Sequence, residues 1–328
     1  MSNNLTELDK LLEMSPTLAI MDAFIIANHK INNVCYEKIL VSVSGGWDSD
    51  IMLDMCTKLD RNNKCVYVFL NTGIEYQATK EHIKYLESKY GIEILELKAP
   101  IPVPLGVKKY GVPFLTKHCS EMIYRLQRHN FRWEDKSYEE LIKEYPNCRS
   151  ALKWWCNAHV NPNGKRSHLN INKHKLLKEF MVENPPTFKI SAKCCDGAKK
   201  KPAKEMCKLD SFDLQCVGIR KQENGVRSQK YKNCFTAGDT IDNFRPIFWF
   251  SDEDKKEYDR AFNLTHSDCY GSWGMTRTGC AGCPFGSGFE DELEIIKKYQ
   301  PKLYKAIVNI FGQSYEYTRK YREYKDGR

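Results

Sequence analysis

Four cysteines and one glycine loop are the residues of this 328-residue sequence whose types and spacing could do chemistry. Cys194 and Cys195 stand side by side in "SAKCCDGAKKKP", and Cys280 and Cys283 form a Cys-x-x-Cys pair in "RTGCAGCPFG". Cysteines grouped in this way in a reducing compartment point to metal binding or catalysis rather than to disulfides. Neighbouring thiolates share one small ion poorly, but they can reach different irons of a cubane cluster, which needs four thiolates at its corners. Tetrahedral zinc competes as a reading, although zinc sites favour two spaced pairs. The bland alternative is four small core residues.

The glycine loop lies in "ILVSVSGGWDSDIMLDMC", residues 39–56. A loop that leaves a buried strand and opens a helix is where phosphate oxygens bind, because the first N–H groups of the helix are unpaired and its dipole favours negative charge. Ser44 and Ser49 offer hydroxyls, and Gly45 and Gly46 let phosphate approach the backbone. Asp48 would repel phosphate alone, so its expected task is to hold Mg²⁺. There is no Gly-Lys-Ser/Thr, so this is not a Walker A loop. A turn using glycine only for close packing is the alternative. Cys119 in "TKHCSEM" and Cys156 in "KWWCNAHV" lie near basic and aromatic residues, where a thiol of lowered pKa could carry sulfur; packing in a core is the competing reading. His118, His159 and His266 show no metal-ligand spacing.

The elements that must position these residues follow from hydrophobic period and turn signals. Residues 5–33 read as helix broken near Pro16. Then strand 38–43, helix 48–59, strand 64–73, an amphipathic helix 76–91 closed by Gly91 and strand 92–99 alternate. That alternation predicts an α/β fold with an open, mostly parallel, doubly wound sheet and right-handed crossovers. "PIPVPLGVKKYGVPF" from Pro100 reads as a loop with turns. Residues 117–190 read as an inserted set of aromatic, basic and polar helices, strand 213–220 returns to the sheet, and "DEDKKEYDRAFN" and "ELEIIKKYQPKLYKAIVNIF" are later helices. The expected division is N-terminal helices 1–35, nucleotide-binding core 36–116, helical insertion 117–190 for the acceptor, completion of the core with the four cysteines 191–290, and a C-terminal helical tail 291–328.

Lys plus Arg exceed Asp plus Glu by 51 to 42, a formal +9, which favours anionic partners without singling out nucleic acid. Fourteen cysteines, an N-terminus without the basic-then-apolar order of a signal peptide, and no apolar run of membrane-spanning length make the expected setting cytoplasmic, with no membrane partner.

With these residues in hand, the sequence resembles the PP-loop ATP pyrophosphatases, also called adenine nucleotide alpha-hydrolases. "SGGWDS" is similar to their SGGxDS pyrophosphate loop. "NTGIEY" (71–76), with Asn71, Thr72 and Gly73, resembles the DTGxE segment of the phosphoadenylyl-sulfate reductase branch. "GIRKQENGVR" resembles that branch's GxRxxxSxxR segment, with Arg220 and Arg227 in anion-binding positions and Asn224 replacing Ser; a pair of surface charges is the plainer account. The order Cys-Cys then Cys-x-x-Cys is similar to the [4Fe–4S] signature of adenylyl-sulfate reductases. The resemblance covers about residues 36–290, with 117–190 unmatched. It implies ATP and Mg²⁺ at the loop and a [4Fe–4S] cluster on Cys194, Cys195, Cys280 and Cys283.

Sulfonucleotide reductases also carry a catalytic cysteine in a C-terminal Glu-Cys-Gly segment, and no cysteine follows Cys283 here. An intact pyrophosphate loop beside four cysteines instead resembles sulfur-inserting members, which adenylate an acceptor oxygen before sulfur displaces AMP. Asp48, Cys119 and Cys156 are then the catalytic candidates. Two alternatives stand beside this one. The first is reduction of an adenylated sulfonucleotide with a non-standard nucleophile. The second is a nucleic-acid-binding partner subunit, with Arg125, Arg128, Arg132, Trp133, Trp154 and Trp155 as a stacking and phosphate-binding face. Implied partners are a nucleic-acid or small-molecule acceptor and a cysteine desulfurase or thiol protein as sulfur or electron source, with a homodimer left open.

Overall fold

The computed structural model describes residues 6–209, 211–223, 230–286 and 288–328. Arg227 and Asn224 therefore lie outside the described residues. The chain divides into two compact units. One comprises Met1–Asn71, Glu75–Ala99 and Lys199–Gly279; the other comprises Thr72–Ile74, Pro100–Ala198 and Cys280–Arg328.

The first unit holds a six-stranded sheet in the order β3-β2-β1-β4-β6-β5, formed by β1 (Ile39–Val43), β2 (Cys65–Asn71), β3 (Ile94–Lys98), β4 (Leu214–Val217), β5 (Phe235–Thr236) and β6 (Asp242–Phe244). All pairs are parallel except the edge pair β5–β6. The run Ile-Leu-Val in β1 is buried on both faces. Ile39 and Val41 enter the main core, and Leu40 packs on the other face with Val68 and Phe212. That pattern is what a central parallel strand covered on both sides requires. From β1 the chain moves to β2 on one side, and β4 later pairs on the other, so β1 and β4 flank the point where strand order reverses. In open α/β sheets the crevice beyond the strand ends at that point is where ligands bind. The fold class read from the alternation is the one observed.

Helices Glu7–Met14 and Leu18–Ile31 form the helical stretch expected, interrupted around Pro16, each with a threonine N-cap, Thr6 and Thr17. The helix Gln77–Tyr90 ends at Gly91 with φ +62, as its C-terminal glycine implied. β5 and β6 are only two and three residues long, too short for alternation to register.

The second unit is helical, and its core gathers Phe114, Leu126, Trp154, Trp155, Phe180 and Tyr317. Residues 103–110 were expected as loop but form the helix Val103–Tyr110. Its prolines cause no break because Pro102 is the N-cap and Pro104 lies in the first turn, where no N–H partner is lost. Conversely, "ELEIIKKYQPKLYKAIVNIF" is two helices, Phe289–Tyr299 and Pro301–Asp326, because Pro301 opens a new helix rather than continuing one. Among the described residues no helix is long and apolar enough to cross a membrane.

Candidate nucleotide site and cysteine group

In the first unit, β1 ends at Val43 and the helix Trp47–Leu59 starts after three intervening residues, with Gly46 as an N-cap that supplies no side-chain hydrogen bond. The first turn of that helix therefore keeps its N–H groups directed out of the loop. The Ser44 N–H donates to Ser49 Oγ at 2.8 Å, which draws the loop back over the helix start. A Cβ at Gly46 would lie 3.1 Å from Tyr270 Oη and 3.4 Å from both Ser44 Oγ and Thr278 Oγ1. Tyr270 and Thr278 hydrogen-bond to each other at 2.7 Å. Three hydroxyls thus ring a loop position that lacks a side chain.

Asp48, in the first helical turn, meets two cations. Its Oδ1 is 3.0 Å from Arg220 Nε and 2.7 Å from Lys255 Nζ. Arg220 is buried, and also reaches Asp252 at 2.8 Å and the Phe250 carbonyl at 3.2 Å. Lys255 Nζ lies 4.3 Å from the centre of the Trp47 ring. Asp48, expected as a free Mg²⁺ ligand, is instead shared between two positive side chains, so a metal there must compete with them. Lys255, Tyr270 and Thr278 were not legible as site residues, because each comes from a distant segment with no motif of its own.

Beneath the loop is a buried chain of titratable groups. Asp50 Oδ2 accepts from His82 Nε2 at 2.8 Å and pairs with His266 Nδ1 at 2.9 Å, while His266 Nε2 is 3.0 Å from Asp259 Oδ2. Trp47 packs on the His266 ring at 5.1 Å between centroids. Burial works to lower the His266 pKa, but the Asp259 and Asp50 carboxylates that face its ring nitrogens outweigh it and lift the value to about 9. The folded value exceeds the ordinary ~6.5, so this histidine's stabilising contribution is full below about pH 6.5 and is lost as pH rises through about 9. We expect the stability difference between the parent and His266→Gln, read from urea unfolding, to shrink by roughly 2–3 kcal/mol from pH 6 to pH 10. A pH-independent difference would remove the charged-histidine account.

The four cysteines all belong to the second unit. Cys194 is buried in the short helix Lys193–Cys195, and Cys195, Cys280 and Cys283 are half-buried. The Cys194 thiol is held far above its ordinary pKa by a hydrogen bond with Cys195, then by burial and by the proximity of Cys195, Cys283 and Cys280. Burial, with Cys280 and Cys195 nearby, pushes Cys283 up to about 12. The Cys194 thiol therefore lies within electrostatic reach of the other three. The Cys-x-x-Cys turn depends on Gly282, whose φ of +62 is left-handed, and whose added Cβ would lie 2.5 Å from Ile307 Cδ1. Tyr315 donates its hydroxyl proton to the Gly282 carbonyl, and Glu292 Oε1 accepts from the Gly282 N–H at 2.9 Å.

Among the described residues, no group of three or more His, Cys, Asp or Glu side chains is arranged to hold a metal ion.

The remaining expected site residues fall as follows. Asn71 ends β2 and donates to Glu96 at 2.8 Å. Thr72 is buried in the second unit, with its hydroxyl 3.5 Å from Cys280 Sγ. Gly73 has φ +89 and abuts Pro102. Cys119 sits inside the second unit's core, and burial drives its thiol well above the ordinary value. Burial also raises Cys156, against a smaller downward pull from Lys178, and its thiol donates to the Lys136 carbonyl at 3.8 Å. Both directions are opposite to the lowered pKa a sulfur carrier needs. Trp154 and Trp155 are fully buried in the core, so they cannot offer stacking faces to a ligand.

Comparison with known proteins adds three findings. Residues 38–153 match the phosphoadenosine phosphosulfate reductase domain. An uncharacterised protein of Methanocaldococcus jannaschii is 32% identical over 325 residues, which is 95% of this chain and 51% of that protein. The chain thus spans about half the length of the curated relative it matches. Among solved structures, a phosphoadenylyl-sulfate reductase from Candida auris in a phosphate complex is 13% identical, with 85% of this chain and 98% of that chain covered at a TM-score of 0.42. A U34-tRNA thiolase from Methanococcus maripaludis with its [4Fe–4S] cluster is 13% identical, with 94% and 79% covered at a TM-score of 0.34.

Proposed function

We propose that this chain, whose residues 38–153 match the phosphoadenosine phosphosulfate reductase domain, is an ATP-dependent sulfurtransferase of the PP-loop type. It binds Mg·ATP at residues 44–49, adenylates an oxygen of an acceptor with release of pyrophosphate, and directs sulfur to the same acceptor. The observation that supports this reading most is the uncapped helix start at Gly46, ringed by the hydroxyls of Ser44, Tyr270 and Thr278. Such a ring offers hydrogen bonds to pyrophosphate oxygens while the helix N–H groups offset their charge.

In the first step the acceptor oxygen attacks the α-phosphorus of ATP. A new P–O bond forms, the α–β bridging P–O bond breaks, and pyrophosphate leaves with the bonding pair. Arg220 and Lys255 balance the charge that develops on the leaving group, and they become available as Asp48 turns toward Mg²⁺. In the second step a sulfide or persulfide sulfur, supplied by a cysteine desulfurase or thiol protein, attacks the activated carbon; the C–S bond forms, the C–O bond breaks and AMP leaves, and where a persulfide attacks, a second donor thiol then breaks the S–S bond and leaves the carrier as a disulfide. Cys194, Cys195, Cys280 and Cys283 would hold a [4Fe–4S] cluster, which when bound supplies a site for labile sulfur. Thr72, with its hydroxyl against Cys280, adjusts charge on that sulfur through a hydrogen bond.

Reduction of adenylyl sulfate is the second reading, favoured by the matched domain itself. It asks for a reactive thiolate, and the raised thiols of Cys119 and Cys156 weigh against those two residues as its source. ATP–pyrophosphate exchange with a panel of acceptors, run beside sulfite release from adenylyl sulfate with a dithiol donor, separates the two. Acceptor-dependent exchange without sulfite supports sulfur transfer; sulfite without exchange overturns it.

Lys255 gives a narrower test. Lys255→Met leaves Asp48 paired with Arg220 alone, and should weaken Mg·ATP about tenfold by calorimetry, about 1.4 kcal/mol. Asp48→Asn should weaken Mg·ATP more than ATP measured in chelator, because only the former uses the carboxylate as a metal ligand. Equal losses in both conditions would remove the metal role of Asp48.

A further inference from the structure

The second unit contains a cavity of about 520 Å³ that the nucleotide and cysteine sites do not use. Its walls come from the end of the helix Val103–Tyr110, the last turns of the helix Lys117–Arg128, the turn that follows, and residues 186–189. Five of the twelve lining residues are aromatic, Tyr110, Tyr124, Phe131, Trp133 and Phe188, and supply flat faces to it. Lys109, Arg128 and Lys189 supply positive charge, and no carboxylate lines the cavity. None of these three cations has an ion-pair partner among the described residues. Lys109 and Arg128 instead lie over the rings of Tyr110 and Tyr124, at 5.2 and 5.8 Å from their centres.

The walls are built rather than incidental. Gln127 donates to the Phe188 carbonyl at 2.7 Å and accepts from the Ile190 N–H at 2.9 Å, which fixes residues 188–190 against the helix. Trp133 holds left-handed backbone, φ +56, and so does Asn130, φ +52. Non-glycine residues adopt that conformation at a cost, and such strain gathers at ligand sites. The Trp133 ring is wedged against Phe131 and Trp155 at 5.6 and 5.7 Å, so its orientation is set before any ligand arrives.

A second cavity of about 380 Å³ shares Tyr124 and Arg128 with the first, and adds His129 together with Arg125 and Lys193, which pair with a lining carboxylate, Glu121, at 2.9 and 3.8 Å and leave Arg128 as its unpaired cation among the described residues. Lys193 immediately precedes Cys194, so this smaller cavity reaches the chain segment that carries the cysteine pair. The shared Arg128 stands where one phosphate could be held between two successive bases.

We propose that the two cavities form a binding site for an unpaired stretch of nucleic acid, with one base among the aromatic rings of the larger cavity and the adjoining nucleotide over the smaller. Flat rings select a planar π-face, and uncompensated cations select phosphate; a nucleotide carries both. A neutral aromatic ligand would leave three cations without a partner, and a simple oxyanion would leave the rings uncovered. Two cavities joined through one arginine suit a strand better than a single free nucleotide. The assignment rests on the proposed function only in making this strand the acceptor; the site itself is argued from the cavities alone.

Fluorescence anisotropy of labelled single strands of about ten nucleotides, DNA and RNA, tests it with the full chain and no ATP. At least one strand should bind, and its affinity should fall steeply between about 50 and 200 mM salt through counterion release. Lys109→Glu combined with Arg128→Glu should weaken binding at least tenfold with an unchanged melting temperature, since both side chains are exposed and unpaired. Tyr124→Ala should weaken it about tenfold with little change in the salt slope. The proposal is overturned by no strand binding at low salt, by a double variant that binds like the parent, or by a blunt duplex or free mononucleotide that binds as tightly as the strand. Because ATP is absent, strand binding stands or falls separately from the nucleotide site. A parent that binds strand but never Mg·ATP would refute the adenylation reading and leave this one intact.

Discussion

Gly46→Val is expected to abolish Mg·ATP binding while leaving the protein folded. The backbone at Gly46 has φ −102 and ψ 155, extended angles that valine adopts readily, so no strain is imposed on the chain. Its Cβ would meet only hydroxyls, Tyr270 Oη at 3.1 Å and Ser44 Oγ and Thr278 Oγ1 at 3.4 Å. The γ-methyl groups would then occupy the space those hydroxyls surround and screen the N–H groups of the first helical turn. We expect affinity to fall more than a hundredfold, roughly 3 kcal/mol, with a melting temperature within a few degrees of the parent. Gly45 is the control. It has φ +64 and an added Cβ would lie 2.9 Å from Thr79 Cγ2, so Gly45→Ala should lower the melting temperature itself. If Gly46→Val binds Mg·ATP like the parent, the phosphates are held elsewhere.

The second large effect concerns iron. Protein prepared without oxygen should be brown and carry about four irons per chain, and Cys280→Ser should remove most of that iron and colour. The same holds for Cys194, Cys195 and Cys283, because losing one corner thiolate of a cubane leaves an iron open to water and loss. Gly282→Val should act like a ligand mutation without touching a sulfur. Its left-handed backbone and the 2.5 Å approach to Ile307 force the Cys-x-x-Cys turn to move. Iron analysis and visible absorption distinguish the outcomes. Colourless protein with one zinc per chain would replace the cluster with a single-ion site.

The glycine loop and the sheet around it were legible because their signals are local. Ile39-Leu40-Val41 is an apolar run short enough to be a buried strand, and glycines immediately before a helical period mark a strand-to-helix turn. The same locality set the limits. Prolines in 100–104 read as a loop, yet the first turn of a helix accepts proline as well as a loop does. Trp154 and Trp155 read as ligand-stacking faces, but sequence order does not say what a helix face meets, and packing made them core. Cys119 and Cys156 carried basic neighbours in sequence, but burial is the larger influence on both thiols and raises them.

What the sequence by itself determined is the set of groups that follow from nearest-neighbour order: a phosphate-type loop on a parallel α/β sheet, and two cysteine pairs able to serve as ligands. Tertiary structure alone decided which distant side chains complete them. It brought Arg220 and Lys255 onto Asp48, Tyr270 and Thr278 around Gly46, and His82, His266 and Asp259 into one buried chain with Asp50. It also left three unpaired cations around the aromatic cavity of the second unit. The reason is that a charge finds its partner by distance through space, with an energy that depends on burial, and neither quantity is written in the order of residues along the chain.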